Sequence, residues 1–426
     1  MAVQLNYIAP KGWEPPMDGR DYLITYLDIE LADGIPDEKF RDAAASCAAE
    51  SSTGTWTKVY AGKDSGIKMA EKMKAVAYDL NPEKKTFKIA YRSDLFEEGN
   101  MAGLLAGVAG NIDSMKMLKA FRLIDIKFPK NIVNSLGRTA LEQAQLAKVL
   151  FTAAKGEFQG IKDDENLTSL YFNTFEDRCK KVHAVQREIE QKSGRKKFYL
   201  CNITHSDLDI MLERADMIKE NGGRWLMMDA VTTGFTAVQT VRKHNPGLAI
   251  HAHRAMHGLL DRESGPGVHD GGKIVDFSMS MVVIAKIMRL LGVDSLHGGA
   301  PKTKMENYGE PKLVQEALQE DITPATDMTL GQNWYGMKGV WHVASGGLHA
   351  GTIGDSITQL GENLIIQAGG GVLGHPWGIE AGVEAVVQAR DLAMAKGDIK
   401  AWIIDNPESA LAKAAQHWGF DPRIVY

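Results

Sequence analysis

The sequence predicts an α/β protein: an N-terminal α+β sandwich domain followed by a (β/α)8-type (TIM) barrel in which one strand is missing. Three observations predict it. Residues 22–31 (YLITYLDIEL) alternate like a half-buried strand, and the elements that begin with them run strand–helix–strand–strand–helix. Beyond residue 130, short continuous apolar runs alternate with amphipathic segments, the pattern of parallel strands joined by helical crossovers. Glycines and polar residues gather just past those runs, where a (β/α)8 barrel keeps its active site.

In the first domain, Asp37–Glu50 reads as a helix starting after Pro36. Further strands are expected at about 56–60, 73–79 and 86–92, and helical patterns near 99–109 and 113–120. The domain spans 1–130, ending at FPKN, the barrel spans 131–407, and a C-terminal helix and tail occupy 408–426. The barrel strands are FQGI, FYLCNI, WLMMDAV, LAIHAH, SLHGG, VWHVASGG and LIIQAGGG, seven where a full barrel has eight. Helices are expected at 139–155, 174–192, 206–220, 277–291 and 380–395. The clusters beyond the strands include KDDEN, THSD, TTG, HRAMH, GGAPKTK, SGGLH and GGGVLGH.

Composition excludes several classes. The 426 residues carry a net charge of −5, with 44% apolar and 24% charged residues, which is globular rather than disordered or fibrous. A mild acidic excess argues against non-specific nucleic-acid binding. Cys47, Cys179 and Cys201 form no CxxC, so neither a disulfide framework nor a zinc site is readable. No run approaches 18 apolar residues and the N-terminus lacks a signal-like apolar stretch, so a cytoplasmic protein without membrane or nucleic-acid partners is expected. All twelve histidines lie at or after His183, which places imidazole chemistry in the barrel.

Each motif has an ordinary reading beside a functional one. Lys162-Asp163-Asp164-Glu165 is a solvated loop, or a hard-cation site whose oxygens come from Asp164 and Glu165. His251, His253 and His257 are packing residues, or chemistry beside Arg254, whose guanidinium suits a phosphate. Gly369-Gly370-Gly371-Val372-Leu373-Gly374 matches GxGxxG, but it stands last in the chain with Asp391 inside a helix. A backbone nest for a phosphate fits it better than a dinucleotide site. Ser345-Gly346-Gly347 and His349 form a second glycine-rich strand end, so phosphate donors lie on at least two sides of one mouth. His297 and Lys304 flank a loop that is either a turn with exposed lysines or a cover over a ligand.

In this order, the strand ends resemble the large subunit of ribulose-1,5-bisphosphate carboxylase/oxygenase (Rubisco). The runs AAESSTGTWT (Ala48–Thr57), GNIDSMKMLKAFRLID (Gly110–Asp125), KDDENLTS (Lys162–Ser169), HRAMH, SGGLH and GGGVLGHPWG carry the resemblance, and KDDENLTS is closest to the archaeal, form III-type branch. The resemblance implies that Lys162 is carbamylated by CO2 and binds Mg²⁺ with Asp164 and Glu165. It implies that Arg254, His297 and Ser345 hold one phosphate of a sugar bisphosphate, and Gly347, Gly369 and Gly370 the other with Thr55 and Trp56. His253 would move protons, Lys304 paired with Glu50 would stabilise the new carboxylate, and Asn111 would contact Mg²⁺ or CO2. In that family Glu50, Thr55, Trp56 and Asn111 come from the partner subunit, so a homodimer is the minimum unit and a higher oligomer is open. The implied reaction is enolisation of ribulose 1,5-bisphosphate, addition of CO2 (or O2) at C2, hydration, and cleavage to 3-phosphoglycerate.

The sequence departs from the family between Asn131 and Arg138. Roughly thirty residues that would hold the linker, the first of eight barrel strands and its KPK acid/base lysine are absent. Leu123–Val133 could enter the gap and bring Lys127 or Lys130, although Pro129 disfavours a central strand there. The loop GGAPKTKMEN lacks the usual hinge glycines, and Ser264–Val275 looks like an insertion. Two other readings therefore stand beside the carboxylase: a Rubisco-like protein that enolises or isomerises a sugar phosphate without fixing CO2, and a non-catalytic variant.

Overall fold

A computed structural model describes residues 7–16, 22–53, 72–97, 100–127, 141–244, 246–261, 269–270, 273–274, 279–303, 310–326 and 329–422. The first domain is an antiparallel sheet of β1 (Tyr22–Leu31), β2 (Val76–Asn81), β3 (Thr86–Arg92) and β4 (Leu118–Lys127), ordered β2-β3-β1-β4. Alternation in β1 turns Leu23, Thr25, Leu27, Ile29 and Leu31 inward. Against them pack Phe40, Ala43, Ala44, Cys47 and Ala48 of α1 (Phe40–Glu50) and Leu104 and Val108 of α2 (Met101–Ala109).

Two expectations for this domain change. Residues 113–120 are not helical: a single 3-10 turn (Ile112–Ser114) leads into β4. The open edge of β1 supplies hydrogen-bond partners from Leu31↔Leu118 to Ile24↔Lys127, and this long-range pairing overrides the local periodicity. For the same reason Leu123–Lys127 does not enter the barrel gap, and Lys127 sits in the first domain's sheet. The strand expected at 73–79 lies at 76–81. The one expected at 56–60, the junction 131–138 with Lys130, and most of the 264–275 insertion lie outside the described residues. Within that insertion, His269–Asp270 pairs antiparallel with Lys273–Ile274.

The second domain is a parallel sheet of β5 (Gly160–Lys162), β6 (Phe198–Asn202), β7 (Trp225–Asp229), β8 (Ala249–His253), β9 (Ser295–His297), β10 (Trp341–Ala344) and β11 (Ile365–Ile366), paired in chain order. These are the seven apolar runs of the sequence. Helices α3 (Leu141–Gly156), α4 (Phe175–Ser193), α5 (Leu208–Glu220), α6 (Phe235–His244), α7 (Met281–Leu291), α8 (Pro311–Gln319), α9 (Ile353–Leu360) and α10 (Ile379–Met394) cover its outer face. Capping defines them locally: in α4, Thr174 accepts from the Asp177 N–H, and Gly194 closes the last turn at φ 67°.

The sheet curls strongly, because Glu165 beyond β5 reaches His253 at the end of β8. Among the described residues, β5 and β11 have no partner on their outer edges. Behind that seam α3 still packs against α4 on one side and α10 on the other, so the helix layer is continuous where the strand layer is open. The last helix, Ala410–Trp418, packs its Leu411 and Trp418 with Ala385 and Ala389 of α10. No helix among the described residues is long and apolar enough to cross a membrane.

Candidate active site

Successive side chains of a strand face opposite ways, and this separates Lys162, the last residue of β5, from Asp163 just beyond it. Lys162 points into the barrel, with Nζ 2.6 Å from the Asp163 carbonyl, 3.7 Å from Met227 Sδ and 3.8 Å from Glu165 Oε2. Asp163 points the other way and is fully buried. It accepts from Arg178 Nε (3.0 Å), the Tyr199 hydroxyl (2.5 Å) and the Asn202 N–H (3.0 Å). Arg178 is fully buried too, and its remaining N–H groups donate to the carbonyls of Leu167, Thr168 and Asn173. This pair pins the loop after β5 and so aims Asp164 and Glu165 at the mouth. Asp164 tightens the loop by accepting from the Asn166 N–H at 3.1 Å.

Glu165 is a junction. Its carboxylate accepts from Asn111 Nδ2 and lies 3.6 Å from His253 Nε2. Asn111 belongs to the first domain. Glu50, at the end of α1, is also close enough to act on Asp164. Crowding by protein atoms raises the Asp164 carboxyl most, and the charges of Glu50 and Asp229 add to this against that of Lys162. Asp164 nevertheless remains exposed at the mouth, so water keeps it more ionised than the crowding by itself would allow.

Asp229, at the end of β7, was not among the sequence candidates. It is fully buried, neither carboxylate oxygen has a well-formed hydrogen bond, and Oδ1 lies 3.2 Å from His253 Nδ1. Burial raises its pKa to about 7, against the pull of Lys162. Its signal in the sequence was an acid closing an otherwise apolar strand, WLMMD. Burial also holds the His253 imidazole neutral, with a pKa lowered to about 3. Lys162, Arg254 and His257 reinforce this, while Glu165 opposes it.

From about pH 4 to 7 the folded chain keeps a proton on Asp229 that the unfolded chain has released. Stability therefore falls as pH rises through that window and levels off above it, by a total on the order of 4 kcal/mol. Asp229→Asn is expected to melt above the parent at pH 8, with the gap shrinking toward pH 5. A gap unchanged over that range would mean that the carboxylate is solvated or paired.

Farther round the sheet, His297 Nδ1 meets Ser345 Oγ at 3.0 Å and its Nε2 meets His251 Nε2 at 3.0 Å, while His251 Nδ1 meets Ser295 Oγ at 2.8 Å. Burial pushes both imidazoles well below their usual pKa, so both are neutral, and facing Nε2 atoms require one to donate and the other to accept. Arg254 is buried beside them, with no hydrogen bond or ion pair among the described residues, a state that suits an anion. Gly346 and Gly347 turn at φ 106° and 79°, where a side chain would be strained. A one-turn helix, Gly369–Leu373, follows β11 directly. Its Gly371 lies so close to Leu348 O and His349 Cα that a Cβ would be 2.5 and 2.7 Å from them. Gly369 faces open space.

The structure thus gathers Lys162, Glu165, His253 and Asn111 at one end of the mouth, with Asp164 and Glu50 beside them. Arg254, His297, Ser345, Gly347, Gly369 and Gly370 sit at the ends of β8 to β11. Thr55, Trp56 and Lys304 lie outside the described residues. His257 and His349 are structural: His257 bridges Asp261 (2.7 Å) and Ser114 (3.1 Å), and His349 Nε2 meets the Asp421 carbonyl at 3.1 Å. No ready group of three metal-binding His, Cys, Asp or Glu side chains exists among the described residues. Asp164 and Glu165 supply two hard oxygen donors, and a carbamate on Lys162 would add a third, a set suited to Mg²⁺.

Comparison with known proteins shows the family. The model of the ribulose bisphosphate carboxylase large-chain N-terminal domain matches residues 17–132, and that of the catalytic domain residues 135–418. A ribulose bisphosphate carboxylase of Pyrococcus furiosus is 35% identical over 94% of this chain and 95% of its own length. One of Archaeoglobus fulgidus is 34% identical over 96% of each. The first match extends over 434 aligned positions but covers only 94% of this chain's 426 residues, so about thirty positions of that relative have no counterpart here. Among solved structures, a dimeric archaeal Rubisco from Hyperthermus butylicus gives a TM-score of 0.58 at 30% identity, covering 98% of this chain and 100% of that one. An octameric Rubisco from Pyrococcus horikoshii gives 0.56 at 33%, covering 98% of each.

Proposed function

Because the chain belongs to the ribulose bisphosphate carboxylase large-chain family, we propose that it is a Mg²⁺-dependent carboxylase of ribulose 1,5-bisphosphate, with O2 as the competing gas. The observation that carries this reading is the single mouth in which Lys162, Glu165, Asn111 and His253 converge, with the buried Arg254, which has no ion pair among the described residues, at the strand ends beside it.

Lys162 as a carbamate, with Asp164 and Glu165, would hold Mg²⁺, which supplies Lewis-acid polarisation of the ketose oxygens when bound. The chain's own groups do the rest. Arg254 binds one phosphate, and the backbone N–H groups around Gly347, Gly369 and Gly370 bind the other. His253, neutral and backed by Asp229, takes and returns protons at the sugar's middle carbons. Asn111 orients Glu165 by donating to its carboxylate. The product is two molecules of 3-phosphoglycerate for each CO2 added at C2. An oligomer in the cytoplasm is the state we assign to the chain, in keeping with its dimeric and octameric relatives.

One observation favours a second reading, enolisation without CO2 fixation: among the described residues no strand stands between β11 and β5, where the family's acid/base lysine would stand. Both readings are tested together by supplying folded protein with Mg²⁺, ribulose 1,5-bisphosphate and labelled bicarbonate in D2O. Acid-stable label is the expected result. Deuterium entering the sugar without label in acid-stable product would replace the carboxylase by the enolising reading, and neither signal would overturn both.

A further inference from the structure

Lys162 stands opposite Leu200 in the register of β5 and β6, so the alternate residues Tyr199 and Cys201 face the other way, toward the helix layer. Helical spacing on α4 sets Cys179 and His183, four residues apart, on the face that meets them. Both sulfurs are fully buried, and the Cys201 thiol lies within hydrogen-bonding reach of Cys179 Sγ. His183 Nδ1 meets the Cys179 carbonyl at 2.7 Å and Cys179 Sγ at 3.5 Å. A carbonyl only accepts, so Nδ1 carries a hydrogen, and the sulfur shares it. His183 Nε2 is buried without a hydrogen-bond partner among the described residues, and the Tyr199 ring stands 5.2 Å from the imidazole. The proposed carboxylation uses none of these groups.

We infer that Cys179 and Cys201 are a site of oxidation, at which a hydroperoxide converts the two thiols into a disulfide between α4 and β6. The sulfurs are unequal. A hydrogen bond from Cys201 holds the Cys179 thiol below the usual cysteine range; burial opposes this, and His183 and Arg178 reinforce it. Burial pushes Cys201 well above that range. The thiolate is the nucleophile, so Cys179 attacks first. Its sulfur bonds to one peroxide oxygen as the O–O bond breaks, and the other oxygen leaves with a proton as water. The Cys201 sulfur then attacks the sulfenic acid on Cys179. The S–O bond breaks, a second water leaves with the Cys201 proton, and the S–S bond forms. The thiols lose two electrons and the peroxide gains them.

The pair lies a single layer deep. Lys180, beside Cys179, is exposed, as is Gly222. A Cβ at Gly223 would stand 2.5 Å from His183 Nε2, so bare glycine backbone covers the imidazole. Cys179 follows Arg178 and Cys201 precedes Asn202, both partners of Asp163, so the link clamps the set that pins the loop after β5. A disulfide that forms and opens with the oxidant is the kind expected in a reducing compartment.

The test is to expose the folded full-length protein to hydrogen peroxide, then denature it, alkylate it and weigh its peptides. The expected result is joint loss of the Cys179 and Cys201 thiols and a linked peptide that dithiothreitol reopens. Cys47 is the internal control: it lies in the first domain's core, where burial and Glu50 push its thiol up, and it should be alkylated in full. In Cys201→Ser the reaction should stop at a sulfenic acid on Cys179, captured by dimedone on denaturation. In Cys179→Ser, Cys201 should stay a thiol. Since a hydroxyl at that buried spot can disturb folding, Cys201→Ala repeats the first variant with an apolar side chain. Three alkylated cysteines in the folded, peroxide-treated parent would overturn the inference. Oxidation of Cys47 as fast as Cys179, or a sulfenic acid on Cys201, would overturn it as well.

Discussion

Lys162→Arg is expected to lower incorporation of labelled CO2 by at least ~10²–10⁴-fold, the range typical for loss of a group that handles protons. It should do so without unfolding the protein. Arginine keeps the positive charge beside Glu165, so the electrostatics that hold the loop survive. What disappears is an amine that can take up CO2, because guanidinium stays protonated throughout the accessible pH range. The same substitution should also erase a physical signal. In the parent, Mg²⁺ and bicarbonate together should raise the melting temperature, since ligands that bind only the folded chain stabilise it. In Lys162→Arg neither should act. A variant that retains a tenth of the parent's activity, or the parent's response to Mg²⁺ and bicarbonate, would reduce Lys162 to an ordinary ion-pair partner of Glu165.

Arg178→Met is expected to cost about 3–5 kcal/mol, the usual penalty for leaving one member of a buried ion pair without the other. For a domain of this size that is roughly 10 °C in melting temperature. Asp163 would keep the Tyr199 hydroxyl and the Asn202 N–H but lose its counter-charge, and the carbonyls of Leu167, Thr168 and Asn173 would lose the guanidinium's N–H groups, Asn173 keeping the Leu170 N–H. The damage should spread to the mouth, because those carbonyls belong to the loop that places Asp164 and Glu165. Adding Asp163→Asn to Arg178→Met should restore part of the lost stability by removing the stranded charge. A double variant as unstable as the sum of the two singles would show that the carbonyl contacts, and not the ion pair, hold the loop. Calorimetry on the three variants separates these cases.

The strands of the barrel were legible because their cause is local: continuous apolar runs of four or five residues, each closed by glycine or a polar residue, have few other ways to bury themselves. Residues 118–127 were not. Their spacing fits a helix as well as a strand, and only the unpaired edge of β1, nearly a hundred residues earlier, makes the strand the better choice. Within the site, Lys162, Glu165 and His253 were found from residue type and position after a strand. Asp163 and Asp164 are the same residue side by side, yet one is the core partner of Arg178 and the other faces the mouth. What separates them is the buried Arg178, Tyr199 and Asn202 set that holds Asp163. Asp229 was hidden in an apolar run whose acid looked like a strand terminus. It becomes chemistry only when burial denies it water and β8 sets His253 against it.

By itself, then, the chain's sequence determined the fold class, the seven parallel strands and the kind of chemistry gathered beyond them, since those depend on hydrophobic pattern and side-chain type along short segments. Tertiary structure decided the rest. Register placed Ser295 opposite His251 and so joined His251, His297 and Ser345 into one hydrogen-bonded row. Curvature brought β5 against β8, and burial moved the proton affinities of Asp229 and His253 in opposite directions.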